Sequence, residues 1–146
     1  MDLADARRRF GEARVARLAT VRPDGSPHIV PVVFTLERDT LAFAVDDKPK
    51  RSARLQRIAN IEREPRVSAL VDAYKEDWTQ LWWIRVDGRG RIVSEGAGLD
   101  LVRRALAAKY VEYEGRPPPG PAVVVQIERW RFWPHDQTER TSGRPG

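Results

Sequence analysis

The sequence predicts a mainly β protein: about seven short antiparallel strands, closed or nearly closed into a barrel, with two or three short flanking helices. Three observations lead there. Runs rich in Val, Ile and Leu are short and separated by Pro, Gly and Asp turn signals. Strand and helix patterns do not alternate as a doubly wound parallel sheet requires. A length of 146 residues, 41% of them hydrophobic, suits one core rather than two. The expected domain spans 1–137, with a polar tail at 138–146.

Asp2 to Arg14 reads as an amphipathic helix, because Leu3, Ala6, Phe10 and Ala13 recur at spacings of three and four. Asp2 and Asp5 suit its first turn, where the helix dipole favours negative charge. Val15 to Val21 is a strand, followed by the Arg22-Pro23-Asp24-Gly25 turn. Pro27 to Phe34 is a second strand. Pro27 and Pro31 lack amide donors, which places it at an edge or on a bulge. Thr40 to Val45 is a third strand, and the three together read as an antiparallel meander. Arg51 to Ile61 is helical, with Leu55, Ile58 and Ile61 on one side and a basic stripe of Arg51, Arg54 and Arg57. In Arg66 to Asp72, Val67, Ala69 and Val71 alternate against their neighbours as in a strand. Leu81 to Asp87 and Arg89 to Glu95 read as a hairpin around Asp87-Gly88. Leu99 to Tyr110 is a further helix. Gly115 to Pro121 is a proline-rich loop, and Ala122 to Phe132 is the last strand.

Composition narrows the function. With no cysteine, there is no disulfide framework, thiolate metal site or thiol nucleophile. No apolar run approaches the roughly 20 residues that span a bilayer. The charged N-terminus has no apolar segment after it, so it does not read as a signal peptide, and a cytoplasmic protein is expected. The formal charge is +5, from 26 Lys and Arg against 21 Asp and Glu. Arginine supplies nearly all the positive charge, yet Lys48 and Lys50 stand together in Asp46-Asp47-Lys48-Pro49-Lys50-Arg51.

That segment is the main site candidate. It leaves a strand and enters a helix, whose unpaired N-terminal amides attract anions. Lysine adds a point charge, and arginine a two-pronged fork for phosphate or carboxylate. The competing reading is a solvated basic turn countered by Asp46 and Asp47. Trp78, Trp82 and Trp83 form an aromatic cluster. On a strand, Trp82 and Trp83 face opposite ways, so one packs while the other meets a ligand or a subunit. His28 lies on a strand and suits packing or an interface better than catalysis, while His135 near the tail reads as exposed. No histidine, carboxylate or serine spacing marks a metal site or a nucleophile elbow, so no catalytic residue is nominated. Nucleotide-binding glycine motifs and nucleic-acid-binding motifs are also missing.

The segments Arg17-Leu18-Ala19-Thr20-Val21-Arg22-Pro23-Asp24-Gly25-Ser26-Pro27-His28, Pro31-Val32-Val33-Phe34, Leu41-Ala42-Phe43, Lys48-Pro49-Lys50 and Glu64-Pro65-Arg66-Val67 carry a resemblance. The chain resembles the flavin and deazaflavin split-barrel family, often labelled pyridoxamine 5'-phosphate oxidase-like. Through Glu76-Asp77-Trp78, Leu81-Trp82-Trp83-Ile84-Arg85 and Glu128-Arg129-Trp130 it resembles the actinobacterial branch that uses coenzyme F420. The resemblance runs from about Arg14 to Trp133. It implies a six- to seven-stranded split β-barrel that forms a homodimer with the cofactor between subunits. Lys48 and Lys50 would bind the cofactor's phosphate-bearing tail, assisted by Arg51 and Arg54. Val30, Pro31 and Val45 would line the ring or ribityl region, with Trp78 and Trp82 near the ring or the opposite subunit. The implied activity is hydride transfer from reduced F420 to a small conjugated acceptor. The alternatives are FMN chemistry on the same barrel and non-enzymatic F420 or haem binding. Oxidases acting on pyridoxamine phosphate itself resemble a longer chain with a basic C-terminal segment. Only 134–146 follow Trp133 here, so that activity is not expected.

Overall fold

A computed structural model of the chain describes residues 1–45 and 51–134. Helix α1 spans Leu3–Glu12. Strands β1 (Ala16–Val21), β2 (Pro27–Val32), β3 (Thr35–Glu37) and β4 (Thr40–Ala44) follow. Then come α2 (Arg51–Arg63), β5 (Arg66–Ala73), β6 (Trp82–Val93), α3 (Ala97–Lys109) and β7 (Ala122–Trp133). Single 3-10 turns lie at Trp78–Gln80 and Val111–Tyr113. Every strand pairing is antiparallel, and the strands form one curled half-barrel in the order β2-β1-β5-β6-β7-β4-β3.

Local chemistry accounts for several elements. Asp2 caps α1: its carboxylate accepts from the Asp5 amide at 2.8 Å, and the Asp5 carboxylate accepts from the Asp2 amide at 3.1 Å. Gly25 takes φ +85° in the β1–β2 turn, a region costly for side chains with a Cβ. Strand β2 lies at an edge of the sheet, where its two prolines forfeit the fewest ladder bonds. Val67, Ala69 and Val71 of β5 point into the core as their alternation predicts.

Two expectations are corrected. The first strands do not form a meander. After β2 the chain crosses through Val33 and Phe34 to the other edge, where β3 and β4 pair and β4 continues onto β7. Arg38 and Asp39 turn a hairpin between β3, a strand that was not expected, and β4. Nor is there a hairpin at Asp87-Gly88. β6 runs through that point as one strand with a bulge opposite β7. A Cβ on Gly88 would overlap the Gln126 carbonyl, so this glycine serves close backbone approach rather than a turn. The 138–146 tail and His135 lie outside the described residues.

The core fills the barrel with Leu18, Phe34, Phe43, Ile84, Val86 and Val123 among its most buried members. Helix α1 stops one end with Phe10, whose ring meets Phe34 and Trp130 edge-on at 5.3 and 5.8 Å between centroids. The C-terminal half of α2 closes the other end. There Ile61 packs on Gly90, and Asn60 donates to the Thr20 hydroxyl at 3.1 Å. Helix α3 covers the outer face of β4 and β7, packing Leu99, Val102 and Leu106 on Ala42, Ala44 and Ala122.

Candidate functional site

The basic segment runs between two fixed points. At its entry the Val45 amide donates to the Pro121 carbonyl at 2.9 Å, and the Gly120 amide donates to the Val45 carbonyl at 3.1 Å. A Cβ on Gly120 would collide with that carbonyl, so the glycine lets the β7 approach loop hold Val45 in place. At its exit the chain starts α2 at Arg51. Lys48 and Lys50 lie outside the described residues, as do the side chains of Arg51 and Arg54, whose backbone forms the first turn of α2.

The start of α2 differs from that of the other helices. Helices α1 and α3 carry Asp5 and Asp100 in their first turns, matching the positive end of the dipole. Helix α2 has no acidic residue there and begins with arginine. Cations at that end cost stability, typically ~0.3–1 kcal/mol each near the surface. An anion seated there offsets the cost.

The other expected residues do not gather in one chain. Val30 turns inward against the core while Pro31, next along β2, is exposed on the outer face. Val45 is buried at the end of β4. Trp82 packs against the core at the α1 end, with the Arg9 guanidinium 5.5 Å above its ring. Trp83 faces the opposite way, as the strand period requires, with the Arg85 guanidinium 5.8 Å from its ring. Trp78 sits on the 3-10 turn and is 78% exposed. The two tryptophans expected near the ring are thus at the α1 end of the barrel, away from the elements closed by the C-terminal half of α2.

Two hollows were not foreseen. One, of about 680 Å³, lies between α3 and β3, β4 and β7, lined by Leu36, Ala42, Leu101, Val102, Val124 and Lys109 among others. Gly98, Ala105 and Ala108 on α3 leave that space, and their small size was the available signal. The other, of about 750 Å³, is a groove across the outer face around the β6 bulge. Ser68 donates to Asp87 at 2.6 Å there, and Arg89 pairs with Glu128 at 3.1 Å.

Polar groups also converge around Lys109 and Tyr110, a cluster with no local signal in the sequence. Lys109 donates to the Ala13 and Phe34 carbonyls at 2.7 and 3.0 Å, with its ammonium 3.8 Å from the Phe34 ring centre. Burial, aided by nearby Arg14, pushes its pKa down to about 8. The Tyr110 hydroxyl accepts from the Phe34 amide at 3.1 Å and lies 2.9 Å from the Arg14 carbonyl, while Arg14 donates to the Lys109 carbonyl at 3.0 Å.

The pyridoxamine 5'-phosphate oxidase family model matches residues 3–134. The chain belongs to this family. The chain is 31% identical over 128 residues to the F420H(2)-dependent biliverdin reductase of Mycobacterium tuberculosis (strain CDC 1551 / Oshkosh), covering 86% of this chain and 83% of that protein. Among solved structures, the chain is similar to an FAD-binding protein of Mesorhizobium loti, with a TM-score of 0.70 at 22% identity over 90% of this chain and 94% of the other. It is also similar to HutZ, the haem storage protein of Vibrio cholerae, with a TM-score of 0.68 at 18% identity over 91% and 94%. These two likenesses establish the shared fold.

Proposed function

We propose that this chain is a cytoplasmic F420-dependent oxidoreductase that reduces a small conjugated organic acceptor, such as a quinone, a conjugated ketone or a linear tetrapyrrole. The observation that carries the reading is the acid-free, arginine-led start of α2, held between Val45 and the helix. It suits a cofactor with a strongly anionic tail. The similarity to an F420H(2)-dependent reductase supports the same choice. Lys48, Lys50, Arg51 and Arg54 hold the tail, and Val30 and Val45 present apolar surface towards the ring or ribityl portion. When bound, the deazaflavin supplies a hydride. The protein orients the acceptor against the ring, and water is the proposed source of the proton.

The proposed assembly is a homodimer. Ile29, 65% exposed, stands with Pro31, Leu70 and Trp83 on the outer face of β2, β1, β5 and β6. Pairing of two such faces covers them and brings Trp78 and Trp82 of one subunit towards the α2 of the other, which reunites the separated groups. A second reading, FMN chemistry or non-enzymatic F420 or haem binding, draws on the fold shared with FAD- and haem-binding proteins.

Fluorescence and absorbance titration with F420, FMN and haem separates these. Micromolar or tighter F420 binding, weakened by the double change Lys50→Ala and Arg54→Ala without unfolding, is expected. A clear preference for FMN or haem, or an unchanged titration curve for the double variant, rejects the assignment of these cations to F420.

A further inference from the structure

Helix α3 lies across the outer face of the sheet without filling the space beside it. A trough of about 680 Å³ remains there, within the roughly 300–1,000 Å³ of cavities that hold small molecules. Strand register defines its floor. Arg91 on β6 lies opposite Val124 on β7, Val124 opposite Ala42 on β4, and Ala42 opposite Thr35 on β3. All four line the hollow, and they cross three inter-strand spacings, about 14 Å in all. The wall is α3. Gly98 stands beside Val93 of β6, and Lys109 reaches the Phe34 carbonyl just ahead of β3, so helix and trough run the same way.

The trough is apolar along its length and charged towards its ends. Ala105 and Ala108 of α3 line it together with Ala42 and Val124, and Leu101, also in the lining, is 62% exposed. Apolar surface left open around a concave space favours an apolar occupant, because covering it removes it from water. Arg91 marks the β6 end. It makes no ion pair or hydrogen bond with any described residue, whereas Arg89, two positions before it on the same face, pairs with Glu128 at 3.1 Å. At the β3 end the lining includes Glu37, and the Lys109 ammonium is turned onto the Ala13 and Phe34 carbonyls. An anionic group is therefore repelled by Glu37 at one end and attracted by Arg91 at the other.

We infer that this trough binds an elongated apolar molecule ending in one carboxylate, with its body along α3 and its carboxylate on the Arg91 guanidinium. The guanidinium fork matches a carboxylate with two parallel hydrogen bonds. Leu101, Ala105 and Ala108 supply the apolar wall, and Val124 and Ala42 the floor. The site is separate from the proposed cofactor groove. It lies on β6, β7, β4 and β3, whereas the proposed subunit contact uses β2, β1, β5 and β6. On β4 it uses Thr40 and Ala42 rather than the Val45 end, where the basic segment begins. Both sites can be filled at once.

The methyl signals of Leu101, Val102 and Val124 by NMR test the site in the full chain, titrated with dodecanoate below its micelle concentration and with dodecanol as the uncharged control. Dodecanoate is expected to move these signals with micromolar affinity, and dodecanol to bind about tenfold more weakly. Arg91→Gln should weaken dodecanoate roughly tenfold, the loss of a charge-assisted contact, and leave dodecanol unchanged. Ala105→Trp, at an exposed position, fills the trough and should abolish both responses. Three results overturn the inference. Dodecanoate leaves the three methyls unmoved, or Arg91→Gln binds it as the native protein does, or F420 displaces it, which would merge the trough with the cofactor's site. A native dimer that Ala105→Trp splits, seen by light scattering with no dodecanoate response, also overturns it and gives the trough to a second copy of the chain.

Discussion

Lys109 shows how one side chain couples burial to pH. Its ammonium is held by two carbonyls yet is desolvated enough to titrate at about 8, below the ordinary lysine value of 10.5. The unfolded chain therefore binds the proton more tightly than the native one, and stability rises as pH increases from about 8 towards 10. Above that, Tyr110 reverses the trend, because burial holds its hydroxyl neutral in the native state while the unfolded phenol ionises. Urea midpoints between pH 7 and 10 are expected to rise in the native protein, and Lys109→Met should flatten the rise. Asp39 is another convergence point, accepting from Arg7 at 2.8 Å and from the Trp130 indole at 2.9 Å, which holds its carboxyl below the usual range. Neither cluster is legible in the sequence. Lys109 reads there only as the end of a helix, and its partners lie 75 and 96 residues away.

At the level of elements, glycines separate what was legible from what was not. Gly25 stands in a turn whose Pro-Asp-Gly chemistry is local, and the turn is found where that chemistry puts it. Asp87-Gly88 carries the same dipeptide signal, but its outcome depends on β7, about forty residues later. The long partner strand keeps β6 extended, and the glycine absorbs a bulge. Gly88→Ala should destabilise the protein by about 1–3 kcal/mol, read from the urea midpoint, because the obstructing atom is backbone and cannot swing aside. Gly98→Ala is the contrast: its nearest neighbour would be a Val93 methyl at 3.5 Å, an ordinary contact, so a small gain of up to ~0.5 kcal/mol is expected. Helix boundaries followed periodicity, and for α1 its cap, within a few residues, since those signals act over a single turn.

For the whole molecule, antiparallel pairing and the edge position of β2 follow from patterning and proline chemistry, while the count of seven strands agrees because the unexpected β3 offsets the single β6 found where two strands were expected. The strand order does not, because it depends on which edges meet across the barrel. The proposed site is read from the sequence alone as a concentration of cations before a helix, and of it the structure describes the backbone at the start of α2. The expected residues Trp78 and Trp82 fall at the other end of the chain's own barrel, so their place in a site depends on a second subunit. Ile29→Glu puts a charge on the proposed contact. Light scattering should give twice 16.7 kDa for the native protein and half that mass for the variant, with F420 affinity falling alongside. An unchanged mass would move the contact elsewhere.

The crossing at Val33 and Phe34 has a mechanical consequence. β2 and β3 are opposite margins of the sheet, yet only these two residues separate them. Three peptide steps span at most about 10 Å, so the margins are sewn together at that point. Tyr110 and Lys109 knot the stitch by gripping the Phe34 amide and carbonyl. A seam fastened at one end gapes only from the other. Here that free end runs back along β2 to His28, beneath α2.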